Sequence, residues 1–196
     1  MNSGLRVLIT GFVGLGLAAS VAAQEAPPLG APERFTGRIV DAGGAVPGAQ
    51  ATYFTLQVDS YSTPEEVKEY VAILEQGGMD AVVKKLWKAK SKGWIKVGDR
   101  LGYDVQIIRS IPTESGRVIR VVTDRPIQFF EVRQGTRSED YPLGLIELRL
   151  GPDGKGEGTL IAAAQVKFTG TSLELETYGT QPFKILKVKT DKTKKK

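Results

Sequence analysis

From Gly93 to the C-terminus, turn residues cut the chain into short extended runs at 94–97, 103–111, 117–123, 127–133, 143–150, 159–168, 173–178 and 183–189. The gaps between runs hold Gly, Pro and Asp and are too short for a helical crossover. Neighbouring runs are therefore expected to pair antiparallel. Upstream lie two more runs, at 34–41 and 49–59. The second alternates cleanly: Thr52, Phe54, Leu56 and Val58 fall on one face, Tyr53, Thr55, Gln57 and Asp59 on the other, the pattern of a half-buried strand.

One stretch changes period. Thr63-Pro64-Glu65-Glu66 combines a capping hydroxyl, proline at the first helical position and glutamate three residues after the cap. Val67, Tyr70, Val71 and Leu74 then recur at helical spacing, Gly77-Gly78 interrupts, and Met79, Val82, Val83 and Leu86 repeat the spacing before Gly93. This predicts a helical hairpin over 64–92. The expected fold is α+β and mainly antiparallel β, a single β-sandwich or barrel-like domain of about ten strands with that hairpin inserted. In the run at 159–168, Leu160, Ala162, Ala164, Val166 and Phe168 share one face of an alternating strand. The small residues Ala162-Ala163-Ala164 predict that something packs close to the sheet there, the hairpin being the candidate.

The N-terminus reads as a secretory signal over 1–23. Arg6 precedes the apolar stretch 7–17, and Val21 and Ala23 suit a cleavage site that leaves Gln24 first. The expected destination is the periplasm or the extracellular space. A flexible Ala- and Pro-containing lead-in covers 24–33, the β-rich domain 34–190 and a basic tail 191–196. Charge is distributed unevenly. Lys184, Lys187, Lys189, Lys192, Lys194, Lys195 and Lys196 crowd the C-terminal end beside one acid, Asp191. Without them, residues 24–183 carry 19 basic against 21 acidic side chains, so the basic pI resides in the C-terminus. That tail is suited to contact with an anionic surface, and export speaks against nucleic acid.

Composition removes whole classes of chemistry. With no cysteine and no histidine there is no disulfide, thiolate nucleophile, imidazole metal ligand or Ser-His-Asp triad. No catalytic residue, metal or cofactor is assigned. Paired carboxylates survive the filter, with Glu131, Glu139, Asp140 and Glu147 as candidates. The stretch Asp153-Gly154-Lys155-Gly156-Glu157 lacks the alternating acids of a calcium loop and reads as a turn. The glycines at 11, 14 and 16 belong to the signal segment.

The stretch 133–142 combines two arginines, two acids and a tyrosine, one strand after Asp124-Arg125-Pro126. Asp124, Arg125, Arg137, Asp140 and Tyr141 are the candidate ligand-binding residues, because arginine can take carboxylate or phosphate in bidentate fashion. A structural Asp–Arg network is the competing expectation. The aromatic residues Trp87, Trp94, Tyr53, Phe54, Phe129 and Phe130 suffice to fill a core or to line an apolar cavity.

The segments Glu33-Arg34-Phe35-Thr36, Thr123-Asp124-Arg125-Pro126-Ile127, Asp140-Tyr141-Pro142 and 145–150 running into Asp153-Gly154-Lys155-Gly156-Glu157-Gly158 resemble an uncharacterised family of small exported bacterial proteins. The resemblance implies export and a single domain, and it implies no activity. The leading expectation is a non-enzymatic binding or envelope-associated accessory module. A small carrier of an apolar ligand comes second and a carboxylate-dependent hydrolase third.

Overall fold

The computed structural model describes residues 31–40, 51–99, 101–127, 141–169, 172–177 and 182–191. Nine strands and one helical segment lie among them. They are β1 (Glu33–Val40), β2 (Thr52–Val58), α1 (Pro64–Leu86), β3 (Gly93–Val97), β4 (Tyr103–Thr113), β5 (Gly116–Thr123), β6 (Leu143–Leu150), β7 (Lys155–Thr169), β8 (Ser172–Thr177) and β9 (Phe183–Asp191). Each of β1 to β7 pairs with the next, β7 pairs with β9, and β9 pairs with β1. The result is a closed eight-strand antiparallel barrel, with β8 lying outside the circuit on the upper part of β7. The alternative of a sandwich is overturned, because the first and last strands meet. Of the expected tenth strand, at 127–133, Ile127 is a connecting residue, and 128–133 lie outside the described residues.

An eight-strand barrel is just wide enough inside for side chains to fill it. Phe35, Phe54 and Phe183 do so together with Ile39, Leu56, Ile95, Ile108, Ile119, Leu148 and Ile185, all at most 2% exposed. A side chain at Gly37 would sit 2.6 Å from the Phe54 ring, so the glycine makes room for the aromatic. The alternation in β2 holds, with Phe54, Leu56 and Val58 turned inward. In β7 it breaks. The register against β6 shifts between Leu143 and Leu145, and this irregularity changes the face. Leu160 stays in the barrel core, whereas Ala164 packs outside with Leu145 and Ile161, and Val166 packs against the helical segment. The single apolar face expected over 160–168 is thus split by an irregularity that period-two reading does not see.

The helical segment begins as expected. Thr63 Oγ1 accepts from the Glu66 amide at 3.2 Å, and the Glu66 carboxylate accepts from the Thr63 amide at 2.8 Å. At Gly78 the backbone leaves the helix, with φ 68°, a region glycine enters without penalty. An unbroken helix would hold Glu69 and Lys85 about 24 Å apart, yet they form an ion pair. The two arms therefore fold back on each other, as the expected hairpin requires. Helical structure stops at Leu86 instead of continuing to 92. The hairpin lies on the outer wall of β4 to β7, where Val82, Val83 and Leu86 pack with Ile107, Val122, Leu143 and Val166.

The two ends of the barrel differ. At the lower end, short turns join β4 to β5 and β6 to β7. In the second, Gly151 N–H donates to the Lys155 carbonyl and Lys155 N–H to the Asp153 carboxylate; this is the turn read from 153–157. Residues 59–62 cross this end. Asp59 and Ser60 amides donate to the Lys92 carbonyl, the Ser62 amide to the Ile108 carbonyl at 2.7 Å, and the Ile108 amide to Ser62 Oγ. Tyr61 packs against the core and donates to the Glu33 carboxylate at 2.8 Å, which also pairs with Arg117 at 2.9 Å. Glu33, assigned by sequence to the lead-in, is therefore the first residue of the barrel wall. The Arg117 guanidinium also lies 5.4 Å from the Phe35 ring centre, a cation–π contact that attracts the cation to the ring face.

Burial, and then the Glu33 carboxylate beside it, push the Tyr61 phenol above its ordinary value. Above pH 10 the unfolded chain releases that proton while the folded protein keeps it, so stability falls as pH rises. Tyr61→Phe is expected to cost about 1.5–3 kcal/mol at pH 7, the worth of a hydrogen bond to a charged group. Its deficit against the parent should shrink between pH 10 and 11, measured by urea unfolding; a constant deficit would refute the raised ionisation.

Candidate functional site

The upper end is where β5 stops and β6 begins, and Asp124, Arg125 and Tyr141 flank it. Thr123 ends β5 with its hydroxyl against the Arg125 carbonyl at 2.5 Å, and the same oxygen accepts the Gly144 amide at 2.9 Å. Pro126 cannot continue the ladder. The chain then crosses the barrel mouth, with the Ile127 amide donating to the Ala162 carbonyl at 2.8 Å. The Ile127 side chain, 1% exposed, drops into the core over Gly144, where a Cβ would come within 2.6 Å of it. This turn fixes Asp124 and Arg125 on the rim.

Asp124 is buried, its side chain 6% exposed. It accepts from Arg125 Nε at 3.0 Å and Nη2 at 3.2 Å, a bidentate pair between adjacent residues. Arg125 is 61% exposed, so its guanidinium is gripped from one side and open on the other. Hydrogen bonding to Asp124 holds its ionisation above the ordinary arginine value, and Asp104 and Tyr103 add to the same effect. The group is cationic at every working pH. Trp87, the residue that caps α1, donates its indole N–H to the Asp124 carbonyl at 3.3 Å while its side chain remains 65% exposed. Ser91 Oγ reaches Asp104 at 3.4 Å next to this group. A fixed cation and a tethered aromatic thus share one rim, a pairing suited to an anionic group on a flat or apolar body.

Of the five residues selected by sequence, Asp124 and Arg125 are joined directly. Tyr141 is half-buried just before β6, at the same end of the barrel. Arg137 and Asp140 lie outside the described residues, as do Glu131, Glu139, Phe129 and Phe130. Trp87 was absent from the polar-site reading; its exposed position immediately after the last apolar residue of α1 was the signal available. The aromatic set divides. Phe54 fills the barrel core, whereas Tyr53 is 69% exposed and Trp94 half-buried on the outer wall.

Glu147 faces outward on β6 but is not free. Arg120 Nε holds one oxygen at 3.0 Å and Arg149 the other at 2.9 Å. Both of its oxygens are thus engaged in ion pairs along the outer face of the sheet. Among the described residues no group of acids could hold a metal ion. The buried Glu33–Arg117–Tyr61 group at the lower end also escaped sequence reading. Its trace was present, since Arg117 is in phase with Ile119 and Val121, and Glu33 with Phe35, all of them inward positions. No protein-family model, curated protein or solved structure matches the chain.

Arg125→Ala removes the cation and leaves a buried carboxylate without its partner. The expected cost is about 1–2 kcal/mol, and Asp124→Ala combined with Arg125→Ala should cost less than the two single changes added together. A double-mutant cycle in urea checks this; strict additivity would mean the pair is not coupled.

Proposed function

We propose that the protein is an exported, non-enzymatic binding or envelope-associated accessory module that takes a carboxylate- or phosphate-bearing ligand at its upper rim. The observation that carries this reading is the Arg125 guanidinium, gripped by the buried Asp124 carboxylate, largely open to solvent and flanked by the tethered Trp87. A cation and an aromatic ring fixed in advance reduce the ordering cost of recognition. The long connection between β5 and β6 leaves from this rim, and binding residues commonly gather on the connections of a rigid scaffold.

The carrier reading draws no support from the barrel interior, which large side chains occupy. The hydrolase reading draws none from Glu147, held by its two arginines. Export rests on the signal-like N-terminus, and the family resemblance points the same way.

The ligand site is tested by NMR titration with inorganic phosphate and with succinate, reading the Trp87 indole and Arg125 Nε–H resonances. At least one anion should move both signals, and Arg125→Ala should abolish the Trp87 response; signals unmoved by either anion would refute the site. Export is tested separately by sequencing the N-terminus of protein expressed from the full chain in a bacterial host. Release with Gln24 first is expected. Retention with the N-terminal segment intact would refute cleavage.

A further inference from the structure

The helical hairpin covers the outer wall of β4 to β7; the other half of the barrel wall, formed by β9, β1, β2 and β3, has no such cover among the described elements. Its outward positions carry Arg34, Arg38, Lys96, Lys184, Lys187 and Lys189, while the alternate positions Phe35, Ile39, Ile185 and Val188 fill the core. Among the described residues none of these six cations forms an ion pair. The nearby acids sit at its margins: Asp191 opposite Arg34 at the lower end, Asp59 just past β2, linked to Arg34 through Gln57, Asp104 opposite Trp94 on β4, and Glu157 on the adjoining strand β7. The opposite wall is different, since Arg120 and Arg149 there share Glu147. We propose that the bare basic half of the barrel wall is a docking surface for a linear anionic polysaccharide, separate from the rim site.

Three features specify this occupant. First, the charge is fixed on a rigid sheet. Strands about 4.8 Å apart place Thr36 between Lys189 and Thr55, and Arg38 between Leu186 and Tyr53. Like charges gathered without counter-charge repel one another, and a polyanion removes that repulsion. Second, Lys187 occupies the left-handed region, φ 54°, beside a register shift in β9. A lysine there bears a backbone cost that glycine would avoid, and it adds one more exposed cation to the wall. Third, the two rings on this wall carry guanidiniums. Arg34 lies 6.0 Å from the Trp94 ring centre and Arg38 5.6 Å from that of Tyr53. Capped rings offer charge in place of the bare faces on which nucleic-acid bases stack. The wall is also convex. A flat bilayer would meet it along a line, and cations beyond a Debye length of about 8 Å contribute little, whereas a flexible polymer can follow the curve and reach them all.

The probe is a fluorescent heparin fragment, with binding read by anisotropy across a salt series. The protein should bind, with affinity falling as salt rises. Combined Lys184→Glu, Lys187→Glu and Lys189→Glu should weaken it by at least about tenfold, with circular dichroism confirming the fold. Should the reversal disturb folding, the corresponding glutamine variant must still flatten the salt dependence. Arg149→Glu on the opposite wall and removal of residues 192–196 should each leave most of the binding intact. Heparin binding unaffected by changes at 184, 187 and 189, or abolished by removing 192–196 alone, would overturn the proposal. Tighter binding to a single-stranded oligonucleotide of equal charge, or to phosphatidylglycerol vesicles, would overturn it as well.

Discussion

Closure through β9 is the constraint on which the molecule depends. This strand pairs with β1 on one side and β7 on the other, and without it a curved sheet would expose two edges and open its core to water. Closure explains why so apolar a set can be buried in a chain that has no disulfide. It also places the lysine-rich C-terminal end on the wall. Three of the lysines crowded at the C-terminal end are held at fixed positions on β9, beside the arginines of β1.

The same closure divides labour between the ends and the walls. The lower end is sealed by tight turns, by the crossing segment 59–62, and by Tyr61 bound to a Glu33–Arg117 pair. A buried ion pair is seldom a net source of stability, but it is costly to break. Here it ties the first strand to β5 across the barrel and specifies how the end closes. At the upper end Ile127 packs into the core over Gly144, and the turn that brings it there sets Asp124 and Arg125 on the rim. Around the outside, the hairpin covers one half of the wall and leaves the other half basic.

Much of this was legible in the sequence because it is local. The capping box at Thr63–Glu66, the break at Gly77-Gly78 and the alternation through Phe54, Leu56 and Val58 each rest on interactions within a few residues. The pairing of Asp124 with Arg125 is local as well, and so was readable as a candidate. The irregularity that splits the apolar face of β7 was not. It shows only as a register shift against β6, and the alanines around it are equally compatible with plain alternation. Glu33, Tyr61 and Arg117 come from three separate places in the chain, and only their inward phase hinted that they meet.

By itself, then, the sequence determined an antiparallel, β-rich domain with a helical hairpin, free of cysteine and histidine chemistry, and it drew attention to an arginine gripped by its neighbouring aspartate. Those properties follow from side-chain period, turn chemistry and composition, which act over short stretches of chain. The tertiary structure decided that the sheet closes as a barrel instead of folding into a sandwich. It also decided that Trp87 joins the rim, and that cations from the first and last strands line one wall. The reason is geometric: strand pairing brings together residues more than a hundred positions apart, and no local pattern records which edge strand will find the other.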